Sequence, residues 1–125
     1  MDEKTLYVRV GEDVRHTLGR AAAAMTGMDA GVAVTPHYEI GFENIAQLSA
    51  VFTPRRWELL AGLREAGPVS ISALARLLKR DYKNVHSDVA ALMEWMAVEK
   101  NEQGLVHAPF ADILVDVHLP DRRAA

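Results

Sequence analysis

The apolar positions change their period several times along the chain, and each change marks an element. Leu6, Val8 and Val10 alternate with Thr5, Tyr7 and Arg9, the period of two that predicts a half-buried strand. From Glu12 the period becomes helical. Val14, Leu18, Ala21, Ala22, Met25 and Met28 recur at helical spacing, and Glu12 and Asp13 stand in the first turn, where carboxylates complement the helix dipole. Residues 12–28 are therefore expected to form an amphipathic helix. Its stripe of Ala and Met suits close packing inside the domain or an adaptable contact with a partner. The loop DAGVAVTP leads to a second short strand, with Tyr38, Ile40 and Phe42 alternating, and then to a helical stretch from Ile45 to Phe52.

Stronger boundary signals follow. Thr53 is the expected N-cap of a helix with Pro54 at its first position, and Gly67-Pro68 stops it. Ser70 caps a short helix that turns Ile71, Leu74, Ala75 and Leu78 inward. After Arg80, Asp81 caps a third helix in which Val85, Val89, Leu92 and Met96 form a buried stripe. The segment AVEKNEQGLVHAPF reads as a hairpin with its turn at Asn101–Gly104, and ADILVDVHL as a last strand with Ile113, Val115, Val117 and Leu119 on one face. The expected fold class is mainly α with a small β-sheet (α+β). Residues 1–52 form a strand-helix-strand extension, residues 53–119 the main domain, and residues 120–125 a tail.

Charge changes the picture more than composition does. At 50% hydrophobic and 25% charged residues the chain has ordinary globular composition, and its net charge of −3 by itself argues against a non-specific nucleic-acid binder. The charge is segregated, however. Residues 1–52 carry four Lys/Arg against seven Asp/Glu, residues 53–100 carry eight against six, and residues 101–125 carry two against four. Only the middle is positive, and there Arg76, Lys79, Arg80 and Lys83 face Asp81 as the one nearby acidic residue. There is no cysteine, no signal-peptide pattern in MDEKTLYVRV and no apolar run of membrane-spanning length, so the expected compartment is the cytoplasm, away from membranes.

Helix, short helix, tight turn, amphipathic helix and hairpin, in that order, are the parts of a winged helix-turn-helix domain, in which the third helix enters the major groove of double-stranded DNA. The base-reading candidates are then Tyr82, Lys83, Asn84, His86 and Ser87, on the first turns of that helix. Lys83 can donate to guanine O6 and N7, Asn84 can make a two-point contact to adenine, and His86 and Ser87 can donate or accept. Tyr82 can stack on sugar or donate to phosphate. Arg55, Arg56, Ser70, Arg76, Lys79, Arg80 and Lys100 are the expected phosphate contacts. Ala90 and Ala91 are small enough to let the helix approach the groove, whereas Glu102 at the hairpin tip would repel phosphate. His86 could equally be a half-buried flank residue.

The stretch RDYKNVHSDV, residues 80–89, carries a resemblance. With its surroundings from about residue 40 to 119 it is similar to the MarR/ArsR-like winged-helix prokaryotic regulators, in particular an antitoxin-like subgroup. The resemblance implies a transcriptional repressor, with autoregulation of a toxin–antitoxin pair and a cognate toxin as the further partner. Residues 1–39 are not matched.

Other classes fare less well. His86-Ser87-Asp88 holds the residue types of a catalytic relay, but neighbours on a helix point about 100° apart and cannot form one. No phosphate-cradling glycine loop and no H-E-x-x-H motif occur, and the five histidines are scattered, so no enzyme activity, cofactor or metal is expected. The serious alternative is a winged-helix protein-interaction module that covers a toxin or other partner without specific DNA binding. Leu18 and Met25 on the N-terminal helix are its candidate surface. A homodimer is expected in either case, through that helix or through the terminal strands around Val8 and Val115.

Overall fold

The computed structural model describes residues 4–11 and 38–119. Three strands that lie far apart in the chain make its sheet: β1 (Lys4–Val10), β2 (Tyr38–Phe42) and β5 (Phe110–Val117), in the order β2-β1-β5 and all parallel. Parallel neighbours cannot be joined by a tight turn. Between β2 and β5 the chain forms four helices, α1 (Ile45–Val51), α2 (Pro54–Ala66), α3 (Ile71–Leu78) and α4 (Tyr82–Glu94), and the short antiparallel hairpin β3 (Glu99–Lys100) and β4 (Val106–His107). The result is an α+β fold. None of the described helices is long and apolar enough to cross a membrane.

Each helix begins where a side chain can satisfy its first N–H groups. Asn44, Thr53, Ser70 and Asp81 accept from the backbone N–H of Gln47, Arg56, Ala73 and Asn84. Two helices end less conventionally. Lys79 closes α3 at φ 55°, with Arg80 N–H donating to the Ala75 carbonyl. Met96 follows α4 at φ 65°, with Ala97 N–H donating to Leu92. Both are left-handed turns in which glycine is the usual residue.

The second turn corrects one expectation. Met96 does not continue the buried stripe of Val85, Val89 and Leu92, because the left-handed turn carries it outward, 45% exposed, and brings Ala97 and Val98 into the core instead.

One core joins sheet and helices. Leu6, Val8 and Val10 of β1 and Ile40 and Phe42 of β2 share it with Leu59, Leu60 and Leu63 of α2, Leu74 and Ala75 of α3, and Val85, Val89 and Leu92 of α4. Aromatic rings connect its parts: Trp57 stacks on Phe52 at 4.9 Å, Phe52 meets Phe42 edge-on at 6.2 Å, and Phe42 lies 4.5 Å from Trp95. The boundary expected at residue 52/53 is therefore no break in the core. The expected helix over residues 12–28 and the tail over residues 120–125 lie outside the described residues.

Val8 also needs correcting. β1 is the central strand, so Val8 is fully buried between its two neighbours and cannot offer a dimer or partner surface. Val115 differs: among the described strands β5 is at the edge, and Val115 is 40% exposed.

The end of β1 is tightly closed. Gly11, at φ +76°, donates to the Phe42 carbonyl, and a Cβ placed there would lie 2.5 Å from the His118 carbonyl oxygen. Backbone on both sides leaves nothing flexible to yield. Gly11→Ala is expected to lower stability by about 2 kcal/mol or more in urea unfolding, whereas Gly104→Ala, in open space at φ +81°, carries only the left-handed strain.

Candidate functional site

The N-terminal turns of α4 are fixed from behind by apolar contacts and presented in front to solvent. Val85, Val89 and Leu92 are buried, while Tyr82, Lys83, Asn84, His86 and Ser87 are all exposed. The five base-reading candidates thus stand together, and His86 resolves to the exposed side. Its ring lies 5.9 Å from that of Tyr82. Behind this front runs a shallow cleft lined by Ser72, Ala75, Arg76, Lys79, Arg80 and Tyr82. Arg76 and Lys79 point their charges outward there.

Two of the expected phosphate contacts are engaged elsewhere. Asp88 accepts from Arg56 Nε at 3.0 Å through one carboxylate oxygen and from Arg80 Nη2 at 2.7 Å through the other. The three side chains are 14–18% exposed. Arg56 also donates to the Val51 carbonyl at 2.9 Å and the Ala50 carbonyl at 3.3 Å, the free end of α1. Arg80 Nη1 is buried with no hydrogen-bond partner. One carboxylate on α4 therefore ties down the end of α1, the start of α2 and the α3–α4 turn, and it withdraws two cations from the surface.

Burial alone would raise the pKa of Asp88, but the hydrogen bonds and charges of Arg80 and Arg56 outweigh it and hold the carboxyl below its ordinary range.

Asp88 is the residue the sequence reasoning missed. The signal was available: Val85, Asp88, Val89 and Leu92 fall at i, i+3, i+4 and i+7, so a carboxylate sits on the stripe that must be buried, and a buried charge demands a partner.

The remaining candidates are spread around this centre. Ser70 spends an acceptor on capping α3, which leaves its hydroxyl proton free to donate. Arg55, beside the inward Arg56, is exposed. Lys100 is exposed on β3, in a hairpin closed by Asn101, whose side chain accepts from Gln103 and Leu105 N–H. Leu18 and Met25 lie outside the described residues. Among the described residues no three His, Asp or Glu side chains gather where they could hold a metal ion.

Asp88→Asn leaves two partly buried guanidiniums without their counter-ion and is expected to cost about 3 kcal/mol at pH 7. Because the folded pKa lies below the unfolded one, the stabilisation is complete above about pH 4 and disappears as the pH falls through the folded value. Urea unfolding from pH 7 to pH 2 should show the gap between wild type and variant closing only at the acid end. Lys79→Gly relieves the left-handed strain and is expected to stabilise the fold by about 0.5–1 kcal/mol, read as a higher thermal midpoint.

No curated protein and no solved structure matches the chain. The HVO_A0114 family matches residues 51–115, just over half of its length, a span that runs from the end of α1 through most of β5 and contains Arg56, Arg80, Asp88 and the whole exposed front of α4. The chain belongs to the HVO_A0114 family.

Proposed function

We propose that this protein is a winged helix-turn-helix regulator that binds duplex DNA sequence-specifically, with α4 as the reading helix, and represses transcription from the sites it occupies. The observation that carries the reading is the front of α4: a helix anchored by Val85, Val89 and Leu92 exposes Tyr82, Lys83, Asn84, His86 and Ser87 together, beside the outward charges of Arg76 and Lys79. Such a front combines groups for base edges with cations for phosphate.

Local architecture supports it. Val69, between α2 and α3, pairs with Val106 of β4 in both directions, Val69 N–H to Val106 oxygen at 3.1 Å and Val106 N–H to Val69 oxygen at 2.8 Å. The hairpin is thereby held against the helical unit, as the wing of such a domain is. The resemblance of residues 80–89 to MarR/ArsR-like regulators favours the same reading.

Lys79 adds a further argument. A left-handed turn that any glycine would fill without strain holds a lysine instead, at the rim of the basic cleft. Strain kept at an exposed cation is explained if the charge is used.

In the proposed complex Asn84 and Lys83 read base edges, and Tyr82, Arg76, Lys79, Ser70 and Lys100 hold the backbone. Arg56 and Arg80 act through Asp88 by positioning α4. Glu102 at the exposed hairpin tip keeps the wing out of the minor groove. The antitoxin role is implied by the resemblance of residues 80–89 and is not needed for DNA recognition; its candidate partner surface, Leu18 and Met25, lies outside the described residues.

The test is fluorescence anisotropy with the duplex upstream of the protein's own gene and a scrambled duplex, over a salt series. The upstream duplex should bind more tightly by a factor of about a thousand or more. Asn84→Ala should lose about 1–3 kcal/mol on the upstream duplex and little on the scrambled one, and Lys79→Gly should weaken both and lower the salt slope by about one. Equal, weak binding to both duplexes would overturn the reading in favour of the protein-interaction module.

A further inference from the structure

Among the described residues β5 pairs on one side only, with β1. His118 N–H donates to the Val10 carbonyl across that pair at 2.8 Å, so by alternation Asp112, Leu114 and Asp116 also direct their backbone groups toward β1. Ile113, Val115 and Val117 direct theirs to the open edge. That edge is apolar as well as unpaired: Leu114 is 52% exposed, Val115 40% and Val117 41%. It has no lysine, its one register shift against β1 falls at its start, between Phe110 and Asp112, ahead of the residues that face outward, and Pro109 and Pro120 both lie outside the strand.

We propose that a second copy of this chain pairs antiparallel with the edge of β5 about a two-fold axis at Val115, so that two three-stranded sheets become one of six strands. The strand's own sequence selects this register. With Val115 opposite itself, Ile113 faces Val117 on the apolar side, and all three edge-facing residues meet in hydrogen-bonded pairs. On the other side, Asp112 of each copy faces His118 of the other, and Leu114 faces Asp116.

Neighbouring registers are worse. Leu114 on the axis sets Asp112 opposite Asp116, and Asp116 on the axis sets it opposite itself, like charges in contact in both cases. Ile113 on the axis brings Pro109, which has no N–H, opposite Val117. Val117 on the axis leaves only residues 115–119 of the described chain to overlap. An antiparallel register that keeps the same face of both sheets together must shift in such steps of two. The register about Val115 is thus the one with a full hydrogen-bonded overlap, opposed apolar residues and a carboxylate opposite an imidazole rather than another carboxylate, and a two-fold partner is the one that presents the same strand in reverse. The inference is independent of DNA binding.

Sedimentation velocity at micromolar concentration tests it on the full chain without DNA. The wild type should sediment as a dimer, and Val115→Lys, which sets two ammonium groups against each other on the axis, as a monomer with an unchanged circular dichroism spectrum. Because the chain has no cysteine, introduced thiols report the register directly. Val115→Cys should give a disulfide-linked dimer on mild oxidation, since directly opposed residues lie about 5.5 Å apart. Asp112→Cys should not, since six residues of offset separate the two thiols by about 20 Å. A wild-type monomer overturns the proposal, and so does a dimer that survives Val115→Lys while Val115→Cys fails to cross-link.

Discussion

A single carboxylate, Asp88, holds the helical half of this protein in its arrangement. It accepts from Arg56 and Arg80 through its two oxygens, and Arg56 reaches on to the last carbonyls of α1. The three groups are more than four-fifths buried, so their charges are costly to separate and their geometry is rigid. The apolar stripe of α4 would bury equally well with the helix rotated or slid by small amounts. The ion pairs remove that freedom, because a displaced carboxylate could not meet both guanidiniums. What they specify is the direction in which the first turns of α4 face.

The same pairing explains how an acidic chain can present a basic front. Asp88 consumes Arg56 and Arg80 internally, and the outward field is left to Arg76, Lys79 and Lys83, clustered at the α3–α4 turn. In the sheet Arg9 is used in the same way, bridging Glu39 of β2 and Asp116 of β5 at 3.2 and 2.5 Å. The half-exposed Asp116 carboxyl is held below its ordinary range, first by the hydrogen bond from Arg9 and further by the charge of His118. Cations in this fold therefore divide into those that fasten elements and those that are displayed.

What was legible in the sequence was local. Thr53, Ser70 and Asp81 announce their helices because a cap needs only the next three residues, and Gly67 with Pro68 announces a stop for the same reason. The exposed quintet of α4 followed from the spacing of Val85, Val89 and Leu92. What was not legible depends on residues distant in the chain. Val8 and Val115 show the same alternation, yet one lies in the middle of the sheet and the other at its edge, and only the strand order decides which is buried. Arg56 and Arg80 look like any other cation in the basic segment until Asp88 is brought to them. Met96 fits the stripe by spacing, but the chain takes its left-handed turn at Met96 itself, without the glycine that would have announced the turn.

The central claim is that the front of α4, aimed by Asp88, is the surface that meets DNA. Hydrogen-exchange mass spectrometry of the protein with and without the duplex upstream of its gene tests it most directly. The account predicts slowed exchange in peptides covering residues 76–90 and unchanged exchange in β1. Unchanged exchange across α4 in the presence of saturating duplex, or protection confined to the sheet, would contradict it.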